Sequence, residues 1–148
     1  MDYFQMTAPC GLDCFNCDFF LAHENQEAMS VVKKISEEYR IPVEILLCNG
    51  CRNHNGQIPV QKLMLGEAHR CAAYECSQSK GLKFCSDCDQ FPCDNLHPYA
   101  DKAGTVPHNT KVFNLCLIKK MGLEKWAASK AAQVRKVYFT KPWTLTGK

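Results

Sequence analysis

The chain has 148 residues, the usual length of one domain, and 11 of them are cysteines, an odd number that fits a pure disulfide framework poorly. The apolar fraction of 46% includes these thiols, so the aliphatic side chains alone offer only a modest core. The net charge of +3 combines −5 over residues 1–100 with +8 over residues 101–148, so the global charge argues little about nucleic acid.

The sequence has no secretory leader pattern and no apolar run near the roughly 18 residues of a membrane span. We therefore expect a cytoplasmic protein without a membrane partner. Because reducing compartments keep thiols unpaired, cysteines at this density point to metal ligation before disulfides.

The first element in chain order is a cysteine turn at residues 10–17, after which a helix is expected. Through residues 18–39, apolar side chains recur at spacings of three and four, and this period predicts one buried helical stripe. Its members are Ala28, Val31, Val32, Ile35 and Tyr39. Pro42 then ends this helix or starts another.

A second cysteine turn, at residues 48–51, opens the middle of the chain. In the interval that follows, residues 52–70, Gly56 and Pro59 break any long element. This interval is predicted to be loop with a short strand or turn.

The third cysteine cluster spans residues 71–93, and Gly81 inside it is expected to cap a helical turn. A brief helix over residues 94–100 should come next. Gly104 and Pro107 then predict a linker.

The last third of the chain predicts a helical hairpin. Asn109 or Thr110 can cap its first helix, which should stop near Gly122, and the second helix begins at Leu123. The apolar residues of the first helix are Val112, Phe113, Leu115, Cys116 and Ile118. Among these neighbours Cys116 is expected to be a buried core thiol.

Together these elements predict a small metal-stabilised α+β fold that is mostly helical, with Cys-x-x-Cys knuckles and a C-terminal helical hairpin. Residues 1–100 are expected to form a cysteine-rich metal-binding domain. Residues 101–148 are expected to form a basic helical hairpin packed on it, so that the two make one compact unit.

Three Cys-x-x-Cys turns and one wider pair carry the chemistry. Such a turn brings two thiolates to one metal ion while backbone N–H groups point at the sulfurs, and tetrahedral zinc takes four such sulfurs. With the cysteines beside the turns, the candidate metal ligands are Cys10, Cys14, Cys17, Cys48, Cys51, Cys71, Cys76, Cys85, Cys88 and Cys93.

The expected cofactor is zinc, with two ions per chain. The preferred pairing places one ion on Cys14, Cys17, Cys48 and Cys51 and the other on Cys71, Cys76, Cys85 and Cys88. Cys10 and Cys93 lie beside these turns and can replace any of the eight.

An iron-sulfur redox or sensor protein is the alternative, because four-cysteine sites bind either zinc or a cluster. The spacing Cys10-x3-Cys14-x2-Cys17 equals that of radical S-adenosylmethionine enzymes. Those enzymes form barrels of about 200 residues or more with alternating strands and helices, whereas this chain has few strand-like runs.

An enzyme is the less favoured interpretation, because neither a Gly-rich phosphate loop nor a catalytic constellation can be singled out. His54 and His69 lie near cysteines and could build a zinc site with an open position for water. For each of them a surface histidine is the favoured interpretation.

The expected function is a zinc-stabilised binding or scaffold module with an unknown protein partner. Nucleic acid is a further option through the basic C-terminal helices, although a solvated face is the simpler interpretation of their charges. These charges are Lys119, Lys120, Lys125, Lys130, Arg135 and Lys136. The phenylalanines beside the cysteines are expected to shield metal rather than to stack on bases.

The ordered motifs resemble a known family. They are Ala8-Pro-Cys10-Gly-Leu-Asp-Cys14-x-x-Cys17, Cys48-Asn-Gly-Cys51-Arg, Cys71-x4-Cys76, and Lys80-Gly-Leu-Lys-Phe-Cys85-x-x-Cys88-x-x-Phe91-Pro-Cys93. Over residues 8–97 they are similar to an uncharacterised prokaryotic family, domain of unknown function 3795. The resemblance implies a cytosolic, bacterial or archaeal metal-binding protein without an assigned activity.

The resemblance extends to residues 114–126, which look like the helix that often follows in this family. Many members then carry one more Cys-x-x-Cys pair, but residues 137–143 contain no cysteine. An additional metal site of those relatives is therefore expected to be absent.

Overall fold

A computed structural model describes residues 1–67, 69–96 and 110–140, and these residues are mostly helical. The helices are α1 (Asp18–Leu21), α2 (Gln26–Tyr39), α3 (Val43–Leu46), α4 (Pro59–Leu65), α5 (Ala72–Ser79), α6 (Thr110–Met121), α7 (Leu123–Trp126) and α8 (Ala132–Thr140). A π-helical segment, Ala127–Ala131, joins α7 to α8. Three single 3₁₀ turns are Cys14–Asn16, Cys85–Asp87 and Asp94–Leu96.

The predominance of helix is confirmed, but the expected α+β class is not. The β pairing within the described ranges is one isolated antiparallel bridge between Thr7 and Asp13. This bridge closes the loop that carries Cys10. Of the helix expected over residues 94–100, the 3₁₀ turn Asp94–Leu96 is described, and the rest, with the expected linker and an Asn109 cap, lies outside the described residues.

Helix α2 forms where its apolar period predicts it, and the side chain of Asn25 caps it by accepting the N–H of Ala28 at 3.0 Å. Ala28 and Val32 are buried, but Val31 and Tyr39 are exposed, so the predicted stripe was too wide. The reason is that the helices packed against α2, which are α1 and α3, have four residues each and therefore cover only a narrow face of it.

The interval 52–70, predicted to be loop with a short strand or turn, contains helix α4. That prediction was wrong because Pro59 does not break this helix but starts it. A proline at the first helical position loses nothing, since its missing N–H would have no partner inside the helix.

The larger core forms where the last helices pack on the first cysteine turn. Trp126 is fully buried, and its ring meets that of Phe15 edge to face at 5.8 Å. Its Nε1 donates to Oδ1 of Asn114 at 3.3 Å, and Nδ2 of Asn114 donates to the carbonyl of Gly11 at 2.9 Å. This chain of hydrogen bonds ties the cysteine turn to α6 and α7.

Helix α6 ends at Met121, and Gly122 separates it from α7, where the sequence predicts the turn. Leu115 and Ile118 face the core, but Cys116 is exposed, so the prediction of a core thiol was wrong. Adjacent residues of a helix point about 100° apart, and the packed face of α6 does not reach this position. In the described part of the chain, no helix combines the length and apolar character needed to cross a bilayer.

Candidate metal centre

All 11 cysteines are free thiols, and ten of them line two cavities. The six-cysteine group surrounds a cavity of about 280 Å³ and consists of Cys10, Cys14, Cys17, Cys48, Cys51 and Cys71. The four-cysteine group surrounds a cavity of about 210 Å³ and consists of Cys76, Cys85, Cys88 and Cys93. All ten cysteines predicted as ligands therefore line a cavity, and Cys116 lines neither.

The grouping differs from the preferred pairing in the position of Cys71. The sequence placed Cys71 with Cys76, but Cys71 lines the six-cysteine cavity and Cys76 the other. Cys71 is the extended residue that precedes α5, whereas Cys76 lies in the second turn of that helix, so the two thiols face different sides. In its place Cys93 completes the four-cysteine group.

Backbone hydrogen bonds shape the first two cysteine turns. The N–H of Cys17 donates to the carbonyl of Cys14 at 2.8 Å, which closes the 3₁₀ turn between them. In the second turn the N–H of Gly50 donates to Sγ of Cys48 at 3.4 Å. This N–H to sulfur contact is the one expected to relieve negative charge on a ligating thiolate.

Gly56 joins Cys51 to Cys71 through its backbone. Its N–H donates to the carbonyl of Cys51 at 2.9 Å, and its carbonyl accepts the N–H of Cys71 at 2.9 Å. Gly56 has a positive φ of 76°, and a Cβ at this position would stand 2.5 Å from the ring of Tyr74. The position therefore excludes any side chain.

We expect Gly56→Ala to lower the free energy of unfolding by about 3 kcal/mol, because a left-handed backbone and a ring clash add together. Gly81→Ala is the matched control, since Gly81 also has a positive φ but has nothing within 4 Å of its Cβ position. It should cost only about 1 kcal/mol. Urea unfolding of both variants checks this, and equal losses would show that Tyr74 yields without cost.

The four-cysteine group contacts both the first turn and a lysine. The N–H of Cys85 donates to the carbonyl of Pro9 at 2.8 Å. Nζ of Lys80 donates to Sγ of Cys88 at 3.5 Å, and this contact is the main cause of the raised pKa of Lys80. The lysine thus supplies positive charge at the rim of the cavity.

Five of the ten thiols are poor anions without a cation between them, because their pKa values are raised. Burial is the largest cause and the charges of neighbouring cysteines add to it, so that the pKa of Cys14 and that of Cys85 are raised to about 12. Burial likewise raises the pKa values of Cys10, Cys48 and Cys51. Because zinc and iron bind thiolates, a bound cation would reverse this balance and release protons.

The donor chemistry of both groups fits a soft or borderline metal ion, since thiolates select zinc or iron-sulfur centres. Throughout the described ranges, no three Cys, His, Asp or Glu side chains already stand around one point as a bound ion would hold them. Thiols gain nothing from mutual approach without a cation, so metal binding would require rotation of cysteine side chains.

The two histidines considered as ligands line neither cavity. Nε2 of His54 accepts the N–H of Asn49 at 3.0 Å, so its lone pair is already used. Burial, followed by the charge of His23, lowers the pKa of His54. His69 is exposed, and its carbonyl accepts a hydrogen bond from Gln57 at 3.0 Å.

Two charged residues that the sequence did not assign to the metal site, Asp13 and Arg135, line the six-cysteine cavity. Asp13 is 1% exposed. Its carboxylate accepts a hydrogen bond from Nδ2 of Asn16 at 3.0 Å and forms an ion pair with Nη1 of Arg135 at 3.4 Å. Burial is the main cause of the raised pKa of Asp13. The position of Asp13 next to Cys14 could have identified it from the sequence as a residue near the metal site. No local sequence pattern could have paired it with Arg135, which is 122 positions away.

Arg52 connects the second cysteine turn to the N-terminal segment through side-chain hydrogen bonds. Its Nε donates to the carbonyl of Thr7 at 2.8 Å, and Nη2 donates to the carbonyl of Lys83. The guanidinium also lies 4.0 Å from the centre of the Phe4 ring. Its position directly after Cys51 was the available sequence signal.

Comparison with known proteins places the chain in one family. No curated protein and no solved structure gave a match. Residues 6–98 match a family described as a protein of unknown function, DUF3795. This range contains both cysteine groups and covers more than half of the chain, so the chain belongs to the DUF3795 family.

Proposed function

We propose that this chain is a zinc-binding protein in which the two cysteine groups hold structural metal and the remaining surface serves as a binding or scaffold module. The observation that carries the proposal is that ten free thiols, brought from three chain segments at residues 10–17, 48–51 and 71–93, line two cavities. Apolar packing explains only half of this convergence. Cys10 lies in the larger core and Cys14, Cys51, Cys71 and Cys85 pack against it, but the other five cysteines belong to neither buried cluster of the described residues.

The small cores favour a stabilising role for the metal. The described residues form two separate buried clusters, and the one around Val32 contains just four buried residues. Metal bound between segments joins parts of the chain that these clusters hold weakly, because the free energy of metal binding adds to that of folding.

Elemental analysis of protein purified without oxygen tests the proposal. We expect zinc at two or more ions per chain, no acid-labile sulfide, and a colourless solution. Brown protein with absorbance near roughly 400 nm and matching iron and sulfide would support the iron-sulfur alternative instead. A reduced, folded chain with neither metal would contradict both.

The iron-sulfur alternative is favoured by one observation, the apolar lining of the six-cysteine cavity. The rings of Phe19, Phe20 and Phe139 face this cavity. Such a lining restricts water, which matters more for a redox centre than for structural zinc. The metal analysis above separates the two, since only the cluster contains inorganic sulfide.

For the partner we propose a protein rather than a nucleic acid. Of the seven basic residues in the described C-terminal helices, Lys111 is buried, Nζ of Lys119 donates to the carbonyl of Ser86 at 3.3 Å, and Arg135 pairs with Asp13. Between α6 and α8 lies an apolar groove that includes Phe113 and Val137. Lys130 also lines it, so an apolar segment with acidic residues fits its chemistry.

Titration with a mixed-sequence DNA duplex at physiological salt checks the partner class. We expect no binding tighter than about 10⁻⁴ M, the weak end of non-specific affinity. Once Lys111, Lys119 and Arg135 are set aside, these helices offer four exposed lysines, Lys120, Lys125, Lys130 and Lys136, and so few phosphate contacts release few counterions. Micromolar binding that weakens steeply with salt would instead identify the basic helices as a nucleic-acid surface.

A further inference from the structure

A third cavity has a volume of about 360 Å³ and is lined by the N-terminal segment, the second cysteine turn, α5 and the loop after α5. The polar side chains that line it are Gln5, Arg52, Tyr74, Gln78 and Lys83. Two of them are cations, and among the described residues neither a carboxylate nor a cysteine lines this cavity. Its chemistry therefore differs from that of the two cysteine cavities.

The guanidinium of Arg52 is held in one orientation. Its Nε donates to the carbonyl of Thr7 at 2.8 Å, and its Nη2 donates to the carbonyl of Lys83. The centres of the Phe4 and Phe84 rings lie 4.0 and 5.4 Å from it. Because Nη2 reaches the backbone of Lys83, the two cations of the third cavity come from adjacent parts of its wall.

The positive charge of this cavity is not neutralised within the described residues. Their contacts use neither Nη1 of Arg52 nor Nζ of Lys83, and their ion pairs include neither side chain. The carboxylate of Asp2 accepts the N–H groups of Phe4 and Gln5 at 3.1 and 3.2 Å and does not line the cavity. A half-buried guanidinium that has lost part of its hydration gains from an added anion.

We propose that the third cavity binds a sugar phosphate, either free or as part of a mononucleotide. A phosphate monoester carries about −1.5 to −2 charges at neutral pH, which matches the two cations. A single carboxylate carries one negative charge, and so does each phosphate within a nucleic acid strand. Nη1 of Arg52 and Nζ of Lys83 are the donors for the phosphate oxygens.

The rest of the cavity favours a sugar as the body of the ligand. Small-molecule sites have volumes of about 300–1,000 Å³, so the third cavity has room for more than a phosphate group. The carboxamides of Gln5 and Gln78 can both donate and accept hydrogen bonds. The hydroxyl of Tyr74 donates to Oδ1 of Asn55 at 3.5 Å, so its oxygen can still accept. Such groups pair with the hydroxyls of a sugar.

Calorimetric titration of the full, metal-loaded chain at constant ionic strength tests this site with four probes, which are ribose 5-phosphate, adenosine 5′-monophosphate, inorganic phosphate and citrate. We expect ribose 5-phosphate to bind at least about tenfold more tightly than inorganic phosphate, because one or two added hydrogen bonds supply that factor. Tighter binding of adenosine monophosphate than of ribose phosphate would assign the sugar phosphate to a nucleotide, and the reverse would assign it to a free sugar phosphate. Absence of binding by both esters, or tighter binding of inorganic phosphate or citrate, would overturn the proposal.

A substitution and a matched control connect the binding to the third cavity. Lys83→Gln keeps the backbone carbonyl that accepts Nη2 of Arg52 but removes the charge, so it should weaken ribose 5-phosphate binding by about 10–100-fold. Lys125→Gln, the control, removes an exposed lysine of α7 that does not line this cavity and should leave the affinity unchanged. Equal affinities of the Lys83 variant and the unaltered chain, or equal losses in both variants, would contradict the assignment.

NMR of the unaltered, ¹⁵N-labelled chain locates the site without any substitution. Gly81 lines the third cavity, whereas Gly122 lies between α6 and α7 and does not. Addition of ribose 5-phosphate should therefore shift the amide signal of Gly81 and leave that of Gly122 in place. The opposite pattern would place the ligand elsewhere and refute the site. Sugar phosphate binding does not depend on the zinc function, since zinc content is measured separately.

Discussion

Replacing Cys48 by serine should remove about one zinc ion per chain and partly unfold the protein. A serine hydroxyl is a poor zinc ligand at neutral pH, so the loss in zinc affinity should exceed the roughly 10–100-fold that changes to outer-shell partners cause. The N–H of Gly50 would also lose the sulfur that accepts it at 3.4 Å. Zinc analysis and thermal melting measure the two effects together.

Cys116→Ser is the matched control for this experiment. Cys116 is exposed and lines neither cavity, so its replacement should change neither the zinc content nor the melting temperature. Unchanged zinc and melting in the Cys48 variant would remove Cys48 from the ligand set. A loss of zinc in the Cys116 variant would show that the grouping by cavities is incomplete.

Trp126→Ala should reduce the free energy of unfolding of the zinc-loaded protein by about 4 kcal/mol. Truncation of a buried tryptophan costs about 3–5 kcal/mol, because it removes apolar contacts and leaves a cavity. Trp126 has no exposed surface, and its Nε1 is a hydrogen-bond partner of the buried Asn114. Urea denaturation monitored by circular dichroism gives the loss.

Phe113→Ala supplies the comparison, since this ring is also on a C-terminal helix but is 53% exposed. It should cost less than about 1 kcal/mol. A similarly small effect at Trp126 would mean that α7 does not hold the first cysteine turn in place.

Sequence periodicity predicted the elements that depend on local pattern. Helix α2 and the turn at Gly122 follow from apolar spacing and from a glycine between two helical runs. The two errors about burial have a common origin. Whether Val31 or Cys116 is buried depends on how far a neighbouring element reaches, and that distance is not encoded in the spacing of either helix.

The ten candidate ligands were visible in the sequence, but their grouping was not. Spacing suggested that Cys71 and Cys76 act as one pair, and the helix that begins between them turns the two thiols apart. The residues that connect Cys71 to the other group are a glycine and its backbone hydrogen bonds. Such contacts have no side-chain signature.

The hydrogen bond from Asn114 to the carbonyl of Gly11 joins residues 103 positions apart and crosses the end of the family match at residue 98. A Cβ on Gly11 would come within 2.8 Å of the backbone of α6, so this turn and that helix meet without a gap. The segment that defines the family is therefore smaller than the unit that folds. A fragment cut at residue 98 should bare the ring of Phe15 and aggregate, even with every candidate metal ligand present.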